Sequence, residues 1–168
     1  MMTASCSGLF IKDKIASIHP DKEYIMKIRK IVLWGVIAIV VIGLLIQLIP
    51  LPGRGANPAV IAEPNWDSPQ TRALAKRACF DCHSNETTWP WYSYVAPVSW
   101  LVYNDTMEGR SRMNFSDWNT RSRDVNEIVG NIQEGEMPPA IYLPMHPSAR
   151  LSAAEKQQLI TGLTNTLK

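Results

Sequence analysis

Cysteine and histidine stand together in one five-residue segment of this 168-residue chain, Cys79-Phe80-Asp81-Cys82-His83. Two thiols three residues apart at the end of a helix can each reach one vinyl group of a porphyrin and form a thioether. The histidine after the second cysteine can then direct its imidazole at the porphyrin iron. The C-x-x-C-H spacing is typical of covalent c-type haem attachment. It predicts one haem c, bound through Cys79 and Cys82, with His83 as an axial ligand of the iron.

Three other sites could use two cysteines at this spacing, and the sequence disfavours each of them. A structural zinc site takes four ligands, and the chain after residue 53 offers only two cysteines and two histidines, with no second pair at zinc-binding spacing. A thioredoxin-like redox pair follows a strand, whereas the pattern before Cys79 is helical. A disulfide across two intervening residues would leave His83 unexplained.

A second axial ligand must come from the chain after this motif. We predict Met137, in the segment Gly135-Glu136-Met137-Pro138-Pro139. Pro138 disfavours helical backbone at the residue before it, and the two prolines stiffen a loop that can present the thioether sulfur. Met145 and His146, which also precede a proline, are the alternative ligands.

The predicted ligand pair indicates a type of function. Methionine sulfur opposite imidazole raises the reduction potential, and two filled axial positions leave oxygen or peroxide little room at the iron. The expected function is therefore outer-sphere electron transfer rather than catalysis. The alternative is a peroxidase-like haem enzyme or a haem-based sensor, either of which needs an exchangeable sixth ligand.

A predicted helix positions the cysteine motif. Ser68-Pro69 supplies an N-cap followed by proline at the first helical position. One face of this helix carries Leu74, Ala75, Ala78 and Cys82. The small alanines on that face permit close approach by another helix or by a flat cofactor.

Further helices complete a domain that we predict to be all-α. One helix is expected over Val98 to Tyr103. Another is capped near Ser122 or Asp124 and ends near Gly135, and residues 152–155 form a capping box before the last helix. No stretch shows the sustained alternation of a strand.

A charge-free run from Ile31 to Ile49 precedes this domain. As a helix its 19 residues would span about 28 Å, close to the hydrocarbon thickness of a bilayer. Lys27, Arg29 and Lys30 flank its start and Arg54 its end, so the positive-inside rule places the N-terminus in the cytoplasm. We therefore expect a single-pass inner-membrane protein with its haem domain on the periplasmic, extracytoplasmic side. A cleaved signal peptide is the alternative, although the run is long and lacks a clear cleavage motif.

These patterns divide the chain into four parts. Residues 1–30 are a cytosolic tail, of which 1–25 could precede the true start. Residues 31–51 are the anchor, and 52–65 are an extended Pro-rich linker about which the domain can reorient. Residues 66–168 form the haem-binding domain. After the apolar run, 11 basic and 12 acidic residues are mixed without a basic cluster, so we expect no nucleic-acid partner. The expected partners are the membrane and an exported redox protein.

From about Trp66 to Leu167 the chain resembles the small haem-binding domain family related to class I c-type cytochromes. The segments that carry the resemblance are CFDCHSN (79–85), WPWY (89–92), APVSW (96–100), NFSDW (114–118), GEMPP (135–139) and HPSARLS (146–152). The resemblance implies a cytochrome c-like helical domain, thioethers at Cys79 and Cys82, proximal His83 and distal Met137. It does not imply a particular physiological reaction.

Side chains outside the motif carry two lesser expectations. The aromatic residues expected to wall the haem pocket are Trp89, Trp91, Tyr92 and Trp100. Arg110 and Arg112 could pair with haem propionates, the alternative being solvated surface charge.

Overall fold

The computed structural model describes residues 21–120 and 124–167, and the chain divides into two compact units after Leu48. The described residues are helical apart from turns, loops and one isolated bridge between Ala62 and Asp117. The all-α prediction is confirmed. Residues 1–20 of the predicted cytosolic tail lie outside the described residues.

The first unit contains one long helix, α1, from Lys22 to Leu45, which continues as a 3-10 turn to Leu48. It buries no residue, and it is long and apolar enough to cross a membrane. The helix begins at Lys22, before the predicted anchor, and thus includes the basic segment that precedes Ile31. It ends before Pro50, whose ring nitrogen carries no hydrogen to continue the helical bonds.

The second unit contains five helices within the described residues. They are α2 (Pro69–Ala78), α3 (Phe80–His83), α4 (Val98–Arg112), α5 (Val125–Glu134) and α6 (Ala153–Thr166). Short 3-10 turns lie at Trp91–Tyr94, Trp118–Thr120 and Pro147–Ala149. The helix predicted over 98–103 is therefore nine residues longer than expected.

Local signals place the helix ends where the sequence predicts them. The Ser68 side chain accepts from the Thr71 amide at the start of α2, and Asp124 caps α5 in the same way. Gly135 ends α5 at φ +82°, a left-handed conformation that glycine adopts without strain. Ser152 and Glu155 form the reciprocal capping box of α6.

The core lies where α2, α5 and α6 meet a set of aromatic rings. Leu74, Ile132 and Leu159 are buried there from the three helices. Phe80 and Phe115 stack at 5.4 Å between ring centroids, so the core reaches the cysteine motif.

The predicted linker is bound to the domain over much of its length. The Asn85 side chain donates to the Ala59 carbonyl at 2.8 Å, and the Asn57 side chain donates to the Thr87 carbonyl at 2.9 Å. The amides of residues 61 and 62 both donate to the Ser116 carbonyl. These bonds contradict free reorientation about residues 57–62, because each would have to break. The boundary after residue 65 stays a prediction.

Candidate functional site

The cysteine motif forms a separate helical turn after α2. Cys79 has φ −125°, which interrupts the helix, and α3 then covers Phe80 to His83. The Cys79 amide still donates to the Ala75 carbonyl at 2.8 Å, so the turn remains joined to α2. Phe80 is buried in the aromatic core. Its packing fixes how this turn presents the residues on either side of it.

Both motif cysteines are free thiols rather than a disulfide. Burial raises the pKa of Cys79 to about 12, and burial together with nearby Asp81 and Asp105 raises the pKa of Cys82 to about 11. Both thiols are therefore protonated at neutral pH. Redox-active pairs and zinc ligands instead use a stabilised thiolate. Among the described residues no group of three or more Cys, His, Asp or Glu side chains could hold a metal ion.

The His83 imidazole is held by the backbone of α4. Its Nδ1 lies 3.0 Å from the Gly109 carbonyl oxygen and 3.2 Å from that of Met113. Carbonyl oxygens only accept hydrogen bonds, so Nδ1 carries the proton and Nε2 keeps its lone pair. Burial lowers the pKa of His83, which favours this neutral form. The ring is thus prepared in the tautomer that binds a metal through Nε2.

Gly109 makes this contact possible because it has no side chain. A Cβ built on Gly109 would lie 2.5 Å from the Cys82 carbonyl oxygen, closer than real Cβ atoms approach. Only glycine lets α4 pack directly on α3 and bring its carbonyl to the His83 ring. No signal in the sequence distinguishes this glycine from an ordinary helix-weakening one.

A cavity of about 190 Å³ lies between the end of α2, the end of α5 and the loop that follows α5. Its lining is mostly apolar and includes Cys79, Ile132, Met137, Pro138, Leu143 and Leu159. The Met137 amide donates to the Asn131 carbonyl at 3.1 Å, while its side chain remains 36 % exposed. The structure thus brings Met137 and Cys79 to one cavity.

The alternative ligands Met145 and His146 lie outside this cavity lining. His146 Nε2 is 2.5 Å from the Tyr92 hydroxyl, and its Nδ1 is 3.9 Å from Asp81. Its ring stacks on Tyr142 with centroids 3.9 Å apart. Both His146 nitrogens therefore face protein groups, and Met145 is exposed.

Asp81, between the two cysteines, is bonded on both carboxylate oxygens. The Thr88 amide donates to Oδ1 at 2.9 Å, and the Tyr142 hydroxyl donates to Oδ2 at 2.6 Å. Burial, followed by the Asp81 carboxylate, strongly raises the pKa of Tyr142, so this hydroxyl stays protonated and donates. No local pattern predicts this pairing, because 61 residues separate Asp81 from Tyr142.

The two arginines considered as propionate partners have protein partners in the structure. Arg110 donates to the Ser84 carbonyl at 2.7 Å and, at 2.9 Å each, to the side chains of Asn57 and Thr87. Arg112 pairs with Glu108 one helical turn away. Arg110 is therefore neither a free cation nor solvated surface charge, because it joins the predicted linker to the segment after the motif.

None of the four aromatic residues expected to wall the haem pocket, Trp89, Trp91, Tyr92 and Trp100, lines the cavity that Met137 and Cys79 share. Trp91 is 73 % exposed. Tyr92 contacts His146, and the Trp89 ring nitrogen donates to Asn57 at 3.2 Å.

The donor set fits a covalently bound haem. By its chemistry, two protonated thiols on one turn could form thioethers, a neutral imidazole could bind iron through Nε2, and Met137 offers a sulfur. Cys79 and Met137 share the cavity, whereas Cys82 and His83 lie outside its lining.

Residues 41–165, about three quarters of the chain, match the family model described as the haem-binding domain. No curated protein and no solved structure matches the chain.

Proposed function

Because this chain belongs to the haem-binding domain family and binds haem, we propose that it is a membrane-anchored monohaem c-type cytochrome that transfers electrons. Cys79 and Cys82 attach the haem, and His83 and Met137 ligate its iron.

One observation carries this proposal: the tautomer of His83. The Gly109 and Met113 carbonyls accept from Nδ1 of a half-buried ring, so Nε2 keeps its lone pair, and two free thiols stand just before it in the chain. The spacing and the tautomer together are what a c-type haem ligand would require. Hydrogen bonds of this kind orient metal-binding imidazoles and raise their basicity.

Attachment through the thiols needs no oxidant and no leaving group. Each S–H would add across one vinyl C=C of the haem, with sulfur bonding to one carbon and hydrogen to the other. The raised pKa values of Cys79 and Cys82 keep the thiols protonated, and a thiolate is what a competing Cys79–Cys82 disulfide would need.

Met137 as the sixth ligand gives the electron-transfer function. Haem supplies a one-electron ferric–ferrous couple when bound, and a methionine ligand opposite histidine raises its potential. The apolar residues beside Met137 in the cavity lining would lower the polarity next to a bound haem, which disfavours the more highly charged ferric state.

The location follows from α1 and its flanking charge. A helix of this length, whose apolar stretch follows Lys27, Arg29 and Lys30 in its first third, is expected to cross the inner membrane once with its N-terminus in the cytoplasm. The haem domain then lies on the extracytoplasmic side, where an exported redox protein can reach it. Protease accessibility of the domain in right-side-out vesicles, with none in inverted vesicles, tests this orientation.

The deciding experiment uses the full chain exported with a working haem-attachment system. Wild type is expected to carry the mass of one haem after denaturation, and the Cys79→Ser, Cys82→Ser double variant is expected to lack it. Met137→Ala should keep the added mass but lose the sulfur-to-iron charge-transfer band. Met145→Ala is the matched control and should keep both. A wild-type chain at bare polypeptide mass would refute the proposal.

One observation favours a second function, a haem enzyme or sensor. Met137 lies on a loop with its side chain 36 % exposed, so its sulfur could exchange with a small ligand. Rapid carbon monoxide binding to the reduced wild-type protein would support this function. A six-coordinate spectrum that carbon monoxide leaves unchanged would support electron transfer.

A further inference from the structure

The loop that carries Met137 is held at both ends. At its start, the Asn131 carbonyl accepts from the amides of Glu136 and Met137 at 2.9 and 3.1 Å. Farther along, the Tyr142 amide donates to the Pro139 carbonyl at 3.0 Å and closes a turn. The Tyr142 side chain contacts Asp81, which precedes Cys82, and the His146 side chain contacts Tyr92, which follows the motif.

We propose that Asp81, Tyr92, Tyr142 and His146 form a clasp whose role is to position the Met137 sulfur for the haem iron. The proposal rests on the function proposed above and names positioning residues for that site. The clasp is defined by the hydrogen bonds Tyr142–Asp81 and Tyr92–His146 and by the Tyr142–His146 stack.

The position of Asp81 gives the clasp its effect on the ligand. Asp81 lies between the two cysteines, so the turn that holds the haem also holds the Tyr142 hydroxyl. The Thr88 amide binds the other carboxylate oxygen and fixes the carboxylate orientation. A short, charge-assisted hydrogen bond therefore ties the Met137 loop to the turn that carries the two cysteines.

The two rings of the loop act as one unit. Tyr142 and His146 are parallel within 10° with centroids 3.9 Å apart, and Tyr92 binds the far side of the pair through His146 Nε2. Leu143, next to Tyr142, lines the same cavity as Met137. Movement of Tyr142 away from Asp81 would therefore displace the cavity wall beside the methionine as well.

The test removes one hydroxyl and measures methionine ligation. Tyr142→Phe deletes the bond to Asp81 but keeps the aromatic ring, and Tyr92→Phe does the same for the bond to His146. Tyr94→Phe is the matched control, since Tyr94 is an exposed tyrosine outside the clasp. All three are produced as the full exported chain with attached haem. Each is compared with wild type and with Met137→Ala.

We expect Tyr142→Phe to keep the mass of attached haem while the fraction of protein without the sulfur-to-iron band rises roughly tenfold, the factor that corresponds to losing a hydrogen bond to a charged group. Carbon monoxide binding to the reduced protein should accelerate by a similar factor, because the detached state is the one that binds it. Tyr92→Phe should give a smaller change in the same direction, and Tyr94→Phe none.

Hydrogen exchange gives a second readout that does not depend on haem. Amides of residues 140–146 should exchange faster in Tyr142→Phe than in Tyr94→Phe, in the haem-free chain as well. If Tyr142→Phe matches wild type in the band, the carbon monoxide rate and the exchange, the clasp does not exist. Faster exchange with unchanged ligation would reduce it to a structural contact and overturn the positioning role. Absence of the band from wild type with haem attached would refute methionine ligation itself, a separate failure.

Discussion

His83 and Met137, the two proposed iron ligands, are supported in different ways. His83 lies on a helical turn, is half-buried, and is oriented by the carbonyls of Gly109 in α4 and of Met113, which follows α4. Met137 lies on a loop, is 36 % exposed, and has only its backbone amide fixed by a neighbouring carbonyl. The contacts that orient His83, here called the histidine side of the site, come from the helices. The position of the Met137 sulfur, the methionine side, depends on the contacts that hold its loop.

This difference follows from what each ligand must do. If Cys79 and Cys82 attach haem as proposed, the neighbouring histidine is placed at the iron by that attachment, so a fixed orientation and tautomer suit it. A methionine that binds afterwards can be recruited, and the protein can set its occupancy through a few side-chain bonds. The variants below test whether the histidine side is built into the fold and the methionine side is not.

The largest effect is expected from Gly109→Ala, which breaks the histidine side. The new methyl would lie 2.5 Å from the Cys82 carbonyl oxygen, a backbone atom that cannot rotate away. Overpacking of this kind costs about 1–3 kcal/mol, and the gain of about 1 kcal/mol in helix propensity does not offset displacement of a backbone contact. We expect a net loss of about 2 kcal/mol in unfolding free energy and a lower yield of attached haem.

Gly130→Ala is the matched control for that substitution. Gly130 is also inside a helix, but a Cβ there would meet nothing within 4 Å. The helix-propensity gain should then appear alone, as stabilisation by about 0.5–1 kcal/mol. Denaturant unfolding followed by tryptophan fluorescence measures both variants. Equal effects at the two glycines would mean that close packing of α4 on α3 is not what orients His83.

The second-largest effect is expected from Arg110→Gln. This substitution removes the hydrogen bonds that join the segment after the motif to residue 57 of the predicted linker. It removes donors to the Ser84 carbonyl and to the Asn57 and Thr87 side chains. Because Arg110 is partly exposed, we expect a loss of about 1–2 kcal/mol rather than the full cost of buried groups. Hydrogen exchange at residues 57–62 should accelerate. Arg112→Gln, which breaks only an exposed pair with Glu108, should cost less than about 0.5 kcal/mol.

The sequence predicts the features of this fold that depend on neighbouring residues. Ser68, Asp124 and the Ser152–Glu155 pair are recognisable as caps because a capping side chain binds an amide two or three residues away. Gly135 is recognisable for the same reason, as a helix end that needs a positive φ. The motif itself is local, so the thiols and the histidine could be named from spacing alone.

The sequence does not predict the supports that join distant segments. The His83–Gly109 bond spans 26 residues, and the Arg110–Asn57 bond spans 53. The sequence pattern also predicts too short a helix α4. Polar residues and a glycine in its second half weaken the helical pattern, whereas in the structure Gly109 packs closely on α3. Such pairings depend on which elements pack together, and no local pattern records them.

A smaller, pH-dependent effect is expected at Glu155, which belongs to the capping box of α6. A hydrogen bond from the Ser152 backbone, followed by bonds from Arg77 and the Ser152 side chain, lowers the pKa of Glu155 from 4.5 to about 2. A carboxylate with a lowered pKa contributes stability above its unfolded value, and this contribution is lost as pH falls from 4.5 towards 2. Thermal unfolding of wild type should thus lose more stability over that interval than that of Glu155→Gln. Glu134→Gln, at an exposed glutamate, is the control and should follow wild type.

The smallest effect, and the sharpest comparison of the two ligands, is expected from Met137→Ala in the haem-free chain. If the methionine side is not part of the core, deleting its exposed side chain should change the unfolding free energy by less than about 0.5 kcal/mol. Ile132→Ala is the matched control because Ile132 lines the same cavity but is buried, and its truncation should cost about 2–4 kcal/mol. The chain for both is produced without export, so that no haem is attached, and is unfolded in denaturant. A large loss from Met137→Ala would place the methionine in the preformed core with His83, and the contrast between the two ligands would disappear.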